Sequence, residues 1–344
     1  MEAELWVFRV EEGLGNACAL IFPDDSAGVI DWGTERPEAY RALFERLGRR
    51  SEPWLRFIAA SHAHADHTLG FEKLISDGVG NGIAIGRLLY PTPIAGSAHN
   101  FLRAARHLAK RLRIPMSSVS VSTFSGTAAA PVIADGVNPS NQDEGWCVRA
   151  LAPADTAIAN EEVMAERGSR TPGNPSSLIL QFSFFDGAGA CARGRAILPG
   201  DATSATLNYA RQQSTASADF SLNSDALVIP HHGSSHNWVP WFQGLIEGFA
   251  MVSAPSGRPK HPSTQVLKEL TTICGTGHTS GLFCTSYAGT CHATFGKGVT
   301  GAPNRLDPCF GDVGVRLSSS RPPEIMHCDN NGPYRRSFGH CRSR

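Results

Sequence analysis

The chain lacks most of the features that announce a function class. No apolar run approaches the ~18 residues that a membrane-spanning helix needs, so no membrane partner is expected. Neither sign of charge is in excess: 31 Lys and Arg balance 31 Asp and Glu over 344 residues. Without a global positive field, any binding of a polyanion has to be local. Charged residues make up 18% and hydrophobic ones 41%, which excludes a disordered chain and a coiled coil. The opening segment MEAELWVFRV does not read as a secretion signal, and there is no Cys-x-x-Cys pair. The nine cysteines therefore read as reduced thiols of a cytoplasmic protein. Cys18, Cys147 and Cys191 are scattered. Cys274, Cys284, Cys291, Cys309, Cys328 and Cys341 crowd the last quarter, with His278, His292, His327 and His340 among them. That tail has donors for zinc but not the paired-cysteine spacing that structural zinc sites use.

What the chain does have is turns. Glycine (35) and proline (22) make up about one residue in six, above the ~12% norm, which suits many short strands. Leu5 to Phe8, Cys18 to Phe22 and Gly28 to Asp31 read as three strands, with Gly13-Leu14-Gly15 as a turn between the first two. Tyr40, Leu43, Phe44 and Leu47 have helical spacing over Pro37 to Arg49. Leu55 to Ala60 is a strand that ends in Ser61-His62-Ala63-His64-Ala65-Asp66-His67. Residues 101–113 form an amphipathic helix, capped by Asn100 and limited by Pro115. Arg103, Arg106, Lys110 and Arg113 lie on one side of it, with Arg111 beside them. A solvated basic face is the plainer account of that stripe, and phosphate contact is the functional one. Thr123 to Glu144 reads as a loop or insertion. Strands follow at Val148 to Pro153, Ser177 to Phe185, Arg195 to Leu198, Ala226 to Ile229 and Phe249 to Ser253.

Four of these strand ends deliver histidine or aspartate: the 62–67 cluster, Asp201, the His231-His232 pair and His261. A single buried histidine is usually a hydrogen-bonded core residue. Three histidines and an aspartate within six residues are different, because each costs several kcal/mol to bury unpaired, and a divalent cation compensates them together. His62 and His64 are two apart, so in extended backbone both imidazoles point the same way and grip one metal. Asp66 and His67 point elsewhere and are placed to hold a second ion, with Asp201 as the carboxylate shared between the two. Adjacent residues at a strand's end diverge, so only one of His231 and His232 is expected to face the metals, as a ligand or as a proton donor.

The pattern His62-x-His64-x-Asp66-His67, followed by Gly70, resembles the signature of the metallo-β-lactamase-fold hydrolases. Asp31-Trp32-Gly33 resembles their Asp-x-Gly turn, Thr171-Pro172-Gly173-Asn174 their Thr-Pro-Gly-His segment, and Gly200-Asp201 the Gly-Asp that bridges their metals. Within that superfamily three further segments resemble the ComEC-type competence-protein domains. These are Asn174 to Leu180, Asp225 to Ser234 with its Pro-His-His-Gly-Ser, and His261-Pro262 ahead of a helix. The resemblance implies an α+β fold, the four-layer αβ/βα sandwich. It also implies two divalent ions, Zn²⁺ or Mn²⁺. Site one would be His62, His64 and Asp201; site two would be Asp66, His67, Asp201 and His261. Asn174 stands where many relatives carry a histidine ligand, and a neutral amide is a weaker donor.

The expected activity is metal-assisted hydrolysis by a hydroxide bridging two ions, with Asp66, Asp201, His231 and His232 as the catalytic group. Phosphodiesters are the leading substrate class, as short single-stranded nucleic acid or a small molecule. Asn174, Ser234, Arg103, Arg106 and Lys110 are the expected substrate contacts. Two alternatives are a hydrolase of a thioester, lactone or other small ester, and a metal-stabilised subunit that docks a protein partner through its Cys-rich tail. The catalytic domain is expected over 1–290, with an insertion around 95–145, and residues 291–344 as a C-terminal extension from which Gly311 to Leu317 adds a strand to that domain.

Overall fold

The computed structural model describes residues 1–10, 15–49, 51–91, 98–119, 130–152, 176–186, 189–190, 193–215, 222–254, 261–273, 281–285, 312–329 and 332–334. The chain opens with an antiparallel meander, β1 (Glu2–Val7), β2 (Ala17–Ile21) and β3 (Ala27–Trp32). Helix α1 (Pro37–Leu47) then crosses over to β4 (Trp54–Ala59), which runs parallel to β3. Proline suits the start of α1 because its missing N–H would have no partner in the first turn. The short α2 (Ala65–Thr68) and α3 (Phe71–Gly80) follow, then β5 (Ala84–Ile85) and β6 (Leu88–Pro91) beside β4. Helix α4 (Ala98–Leu112) carries the chain to β7 (Met116–Val119), parallel to β6.

The second sheet begins with β8 (Val132–Asn138), β9 (Asn141–Ala152) and β10 (Ile179–Asp186), all antiparallel, with the two-residue β11 (Gly189–Ala190) on β10. It continues through β12 (Ala196–Leu198), α5 (Ser204–Thr215), β13 (Ser224–Val228), β14 (Ile246–Val252), α6 (Thr264–Ile273) and β15 (Gly281–Cys284). Strands β12 to β15 pair in parallel. The chain then returns to the first sheet as β16 (Asp312–Ser318), β17 (Glu324–Asp329) and β18 (Gly332–Tyr334), with β16 antiparallel to β1.

Three stretches differ from what the sequence suggests. Residues 132–144, expected as a loop, are β8 and the start of β9. The hairpin turns at Asn138 to Asn141, and Gly136 lies flat against the Trp146 indole, at a position where a side chain would collide with the ring. Strand formation there rests on a neighbour ten residues away, which local composition does not reveal. The stretch 95–145 is likewise not set apart: at its described residues, α4 and β7 belong to the first sheet's layers and β8 and β9 to the second sheet. Residues 312–334, which fell within the expected extension, are three strands of the first sheet.

Each sheet is covered on both faces, giving the α+β, four-layer αβ/βα arrangement. Strand β1 shows how: Leu5 and Val7 enter the core between the sheets, while Trp6 joins the cluster formed with α1 and α3. Phe22 stacks on Trp146 with ring centroids 4.1 Å apart, joining the two sheets through aromatic contact. All five residues of β13 are buried, as expected for a parallel strand sandwiched between layers. Among the described residues, no helix is long and apolar enough to cross a membrane. The site residues lie just beyond the carboxyl ends of β3, β4, β12, β13 and β14, where open parallel sheets gather their functional loops.

Candidate metal centre

The site grows from a buried carboxylate at the end of β3. Asp31 adopts φ 58°, and its side chain is fully buried. Its Oδ1 accepts the Ser61 amide at 2.6 Å, and its Oδ2 accepts the Ser61 hydroxyl at 2.7 Å and the His67 Nδ1–H at 2.7 Å. A carboxylate only accepts, so Nδ1 of His67 carries the hydrogen and Nε2 faces the other way. The Ser61 hydroxyl gives its one proton to Asp31 and stands 3.1 Å from His62 Nδ1, which fixes that ring's tautomer in the same sense. The Asp66 carbonyl accepts the Asn16 amide, and a side chain at Gly33 would collide with that carbonyl oxygen. Glycine at that turn lets the 61–67 loop close onto β3.

Asp201 arrives from the end of β12, after Gly200 at φ 56°, where a Cβ would meet Ser61 at 2.5 Å. Its carboxylate is the hub of the site. Oδ1 lies 3.1 Å from His67 Nε2 and 3.7 Å from His232 Nε2, and Oδ2 lies 3.6 Å from His231 Nε2 and 3.8 Å from His62 Nε2. His64 Nδ1 is 2.9 Å from His62 Nε2, near the ~3.3 Å separating two donors on one tetrahedral ion. Two groups have their donor atoms within 4.8 Å of one another: His62, His67 and Asp201, and Asp66, His67 and His232.

The polar atoms of this cluster fit a metal. His67 Nε2, His232 Nε2 and Asp201 Oδ1 are buried with no hydrogen-bond partner among the described residues, a costly state unless something else satisfies them. Because Nδ1 of His67 is committed to Asp31, its one remaining nitrogen serves one ion only. Asp201 Oδ1 faces His67 and His232, and Oδ2 faces His62. Oδ2 also faces His231, so the carboxylate lies between the two donor groups.

The electrostatics agree. Burial, reinforced by His67, holds His62 well below the usual imidazole range, and burial lowers His64 and His232. Neutral imidazole is the form that binds a metal. His67 is the exception: burial pushes it down, but Asp201 and Asp31 overcome that and raise it well above the ordinary value. Asp201 mirrors it, since burial would raise the carboxyl but His67, His231 and His232 hold it well below the usual range.

The structure brings together His62, His64, Asp66, His67, Asp201, His231 and His232, and revises one expectation. His231 and His232 do not diverge. Both adopt left-handed backbone, φ 47° and 55°, so both Nε2 atoms turn toward Asp201; strand alternation does not apply to such a turn. Non-glycine residues there cost on the order of 1–3 kcal/mol each, and such strain clusters at functional sites. His261 stands beside His231, ring centroids 5.5 Å apart, its Nδ1 buried with no hydrogen-bond partner among the described residues, and His232 lies in the group with Asp66 and His67. Burial, then His231, lowers the His261 pKa to about 4.

Among the substrate contacts, Ser234 is buried and its amide donates to the His231 carbonyl at 2.9 Å. Arg103, Arg106 and Lys110 lie exposed on α4, whose Ala105, Leu108 and Ala109 are buried on the other side. Asn174 lies outside the described residues. Sequence reasoning missed the roles of Asp31, Ser61, Asn237 and Ser253. Asp31 carried a signal, as a carboxylate closing an apolar strand. The others carried none: Ser61 and Ser253 meet groups from distant strands, and Asn237 reaches His231 only through the fold of their shared loop.

No family model matches the chain, and no curated protein matches it. Solved structures similar to it include the metallo-β-lactamase fold protein YhfI from Bacillus subtilis, with 12% identity and a TM-score of 0.40, covering 83% of this chain and 96% of that one. A diphosphatase of the PhnP family shares 15% identity at a TM-score of 0.37, covering 75% of this chain and 89% of that one. A long form RNase Z from yeast shares 14% identity at a TM-score of 0.33, covering 66% of this chain and 32% of that one. Identities this low leave function to be argued from the residues themselves.

Proposed function

We propose that the chain is a binuclear metal-dependent hydrolase of the ComEC-type branch, acting on phosphodiesters. The observation that carries this reading is the Asp201 carboxylate, buried with four imidazole nitrogens at 3.1 to 3.8 Å and one oxygen that takes no hydrogen bond. His62, His64 and Asp201 would hold one ion, and Asp66, His67, His232 and Asp201 the other, with Zn²⁺ or Mn²⁺ suited to this mix of imidazole and carboxylate. Bound there, divalent ions lower the pKa of a water toward ~7 and offset charge developing on a phosphoryl oxygen. The protein's part is to fix the donors. Asp31 holds His67, Ser61 holds His62, and the Ser253 carbonyl accepts the His232 Nδ1–H at 3.0 Å. His231 is the more open of its pair, its side chain 18% exposed against 2% for His232. It is the ring placed to exchange a proton with a departing oxygen.

Phosphodiesters are favoured over thioesters and lactones by the exposed cationic side of α4, whose sequence carries Arg103, Arg106, Lys110 and Arg111 and no acid. Short single strands or small phosphodiesters suit a chain with no net charge. A cytoplasmic setting belongs to the same reading, supported by free thiols at Cys18 and Cys147. The test is Mn²⁺- or Zn²⁺-dependent cleavage of end-labelled single-stranded DNA and of a chromogenic phosphodiester, in wild type and Asp201→Ala. Cleavage lost in the variant is expected. No cleavage of either substrate with either metal sinks the phosphodiester assignment, and less than one metal per chain by elemental analysis sinks the binuclear one.

A further inference from the structure

His231 is held by a residue that is not itself part of the metal centre. Asn237 is buried, and its Oδ1 lies 2.7 Å from His231 Nδ1. Its Nδ2 donates to the Ala202 carbonyl at 3.0 Å and to the Asp201 carbonyl at 3.4 Å. Those two carbonyls can only accept, so the amide nitrogen must face them and the amide oxygen must face the ring. An oxygen facing the ring requires a hydrogen on Nδ1. The same residue therefore joins the loop after β13 to the loop after β12, a joint reinforced where the His231 amide donates to the Gly200 carbonyl at 3.1 Å.

We infer that Asn237 is a positioning residue, which locks His231 as its Nδ1–H tautomer and aims the Nε2 lone pair at the Asp201 side of the site. Three observations converge on this. The amide orientation leaves no second arrangement free of an oxygen–oxygen contact. His231 Nε2 stands 3.6 Å from Asp201 Oδ2, so the nitrogen left without a hydrogen is the one at the site. The left-handed backbone of His231, φ 47°, sets the ring in a strained turn that needs an external tether, and the Asn237 side chain supplies one from six residues away. His67 and His232 show the same device with different acceptors, the Asp31 carboxylate and the Ser253 carbonyl. All three rings thus present Nε2 inward, each held from behind. Orientation by such outer partners is general for histidines at metal sites.

The tautomer does not depend on which bond the protein cleaves, whereas the contribution of Asn237 to turnover rests on the hydrolytic reading. The two are separated by measuring both. Full-length, zinc-loaded protein labelled with ¹⁵N-histidine is studied at pH about 8, above the usual histidine pKa. The ring-nitrogen coupling pattern of His231 is identified by its loss in His231→Gln. The expected wild-type pattern has the proton on Nδ1. Asn237→Asp keeps an acceptor for the ring but gives up donation to the two carbonyls, so it should retain that pattern. Asn237→Leu removes the acceptor, and the proton should move to Nε2 or exchange between the nitrogens. On the phosphodiester substrate, Asn237→Leu should lower kcat by about 10- to 100-fold, the usual scale for an outer partner, with KM unchanged and with rescue in Asn237→Asp. A role confined to joining the loops would make Asp as harmful as Leu. A wild-type proton on Nε2, an Asp variant that loses the Nδ1 proton, or a folded Leu variant with the wild-type pattern each overturns the inference. If Asn237→Leu does not fold, the wild-type and Asp patterns still decide it. Absent turnover with the expected ring patterns counts against the hydrolase reading alone.

Discussion

Two buried carboxylates in this protein have opposite surroundings. Asp312, at the start of β16, receives the Arg9 amide at 2.8 Å and the Arg36 guanidinium at 3.2 Å on one oxygen, and Arg36 also donates to the Arg9 carbonyl. Asp201 is as deeply buried, 3% exposed against 5%, yet its Oδ1 takes no hydrogen bond and its neighbours are histidines. Asp312 joins the last sheet strands to the first, and its needs are met by the groups it joins. Asp201 gathers donors that share its own need for a cation. The contrast separates a carboxylate that holds the fold together from one that waits for a ligand, although both look alike by burial. Charge balance separates them too: burial raises the Asp312 carboxyl against the opposing pull of Arg36, whereas at Asp201 the histidines outweigh burial.

Substitutions can break this comparison. The largest effect is expected at Asp201. Asp201→Ala should reduce turnover by about 10³-fold, the scale of losing a central electrostatic group, and lower bound metal, while circular dichroism still reports a folded chain. Asp312→Ala should do the reverse. Leaving the Arg9 amide and Arg36 without their acceptor costs about 1–3 kcal/mol, read as a lower midpoint in urea unfolding, with activity per folded molecule retained. If Asp312→Ala instead removed metal, the distinction between the two carboxylates would fall.

Asp31 tests the middle ground, being fully satisfied like Asp312 yet touching the site through His67. Asp31→Asn can no longer accept from all three of its donors, and metal affinity should drop by about 10- to 100-fold, measured by competition with a chelator. The smallest effect is expected on the cationic side of α4. The triple change Arg103→Ala, Arg106→Ala, Lys110→Ala should weaken single-stranded DNA cleavage. It should also flatten the salt dependence by up to about 0.7 in log–log slope for each phosphate that is no longer neutralised. Cleavage of the small chromogenic phosphodiester should be unchanged. Equal losses on both substrates would show that the helix supports the fold rather than the substrate.

Much of the architecture was legible in advance because it is written in local periodicity. Hairpin-like alternation marked β1 to β3, a short apolar run marked β4, and the three-four spacing of Tyr40, Leu43 and Leu47 marked α1. The helix expected over 101–113 is α4, begun one turn earlier. The His62 to His67 cluster was legible for a different reason: titratable groups so close together are too costly to bury without compensation. The hairpin β8–β9 was not legible, because its polar, glycine-containing residues take strand form by packing on Trp146 and pairing with each other. The return of β16 to β1 was only half visible. The strand pattern could be read, but a partner some 300 positions away in the sequence could not.

The amino-acid sequence by itself determined which groups would be gathered, since the donors stand at the ends of apolar strands and those strands must be buried. It also determined that the gathering place would be polar and in need of a cation. Only the tertiary structure decided how the donors face one another. The left-handed turn at His231 and His232 aims two neighbouring rings at one carboxylate, which strand alternation excludes. Asp31, Ser253 and Asn237 set the tautomers from behind, the first two from other strands and Asn237 from six residues along His231's own loop. Hydrogen-bond direction depends on distances of tenths of an ångström between residues far apart in the chain, and no local pattern encodes them.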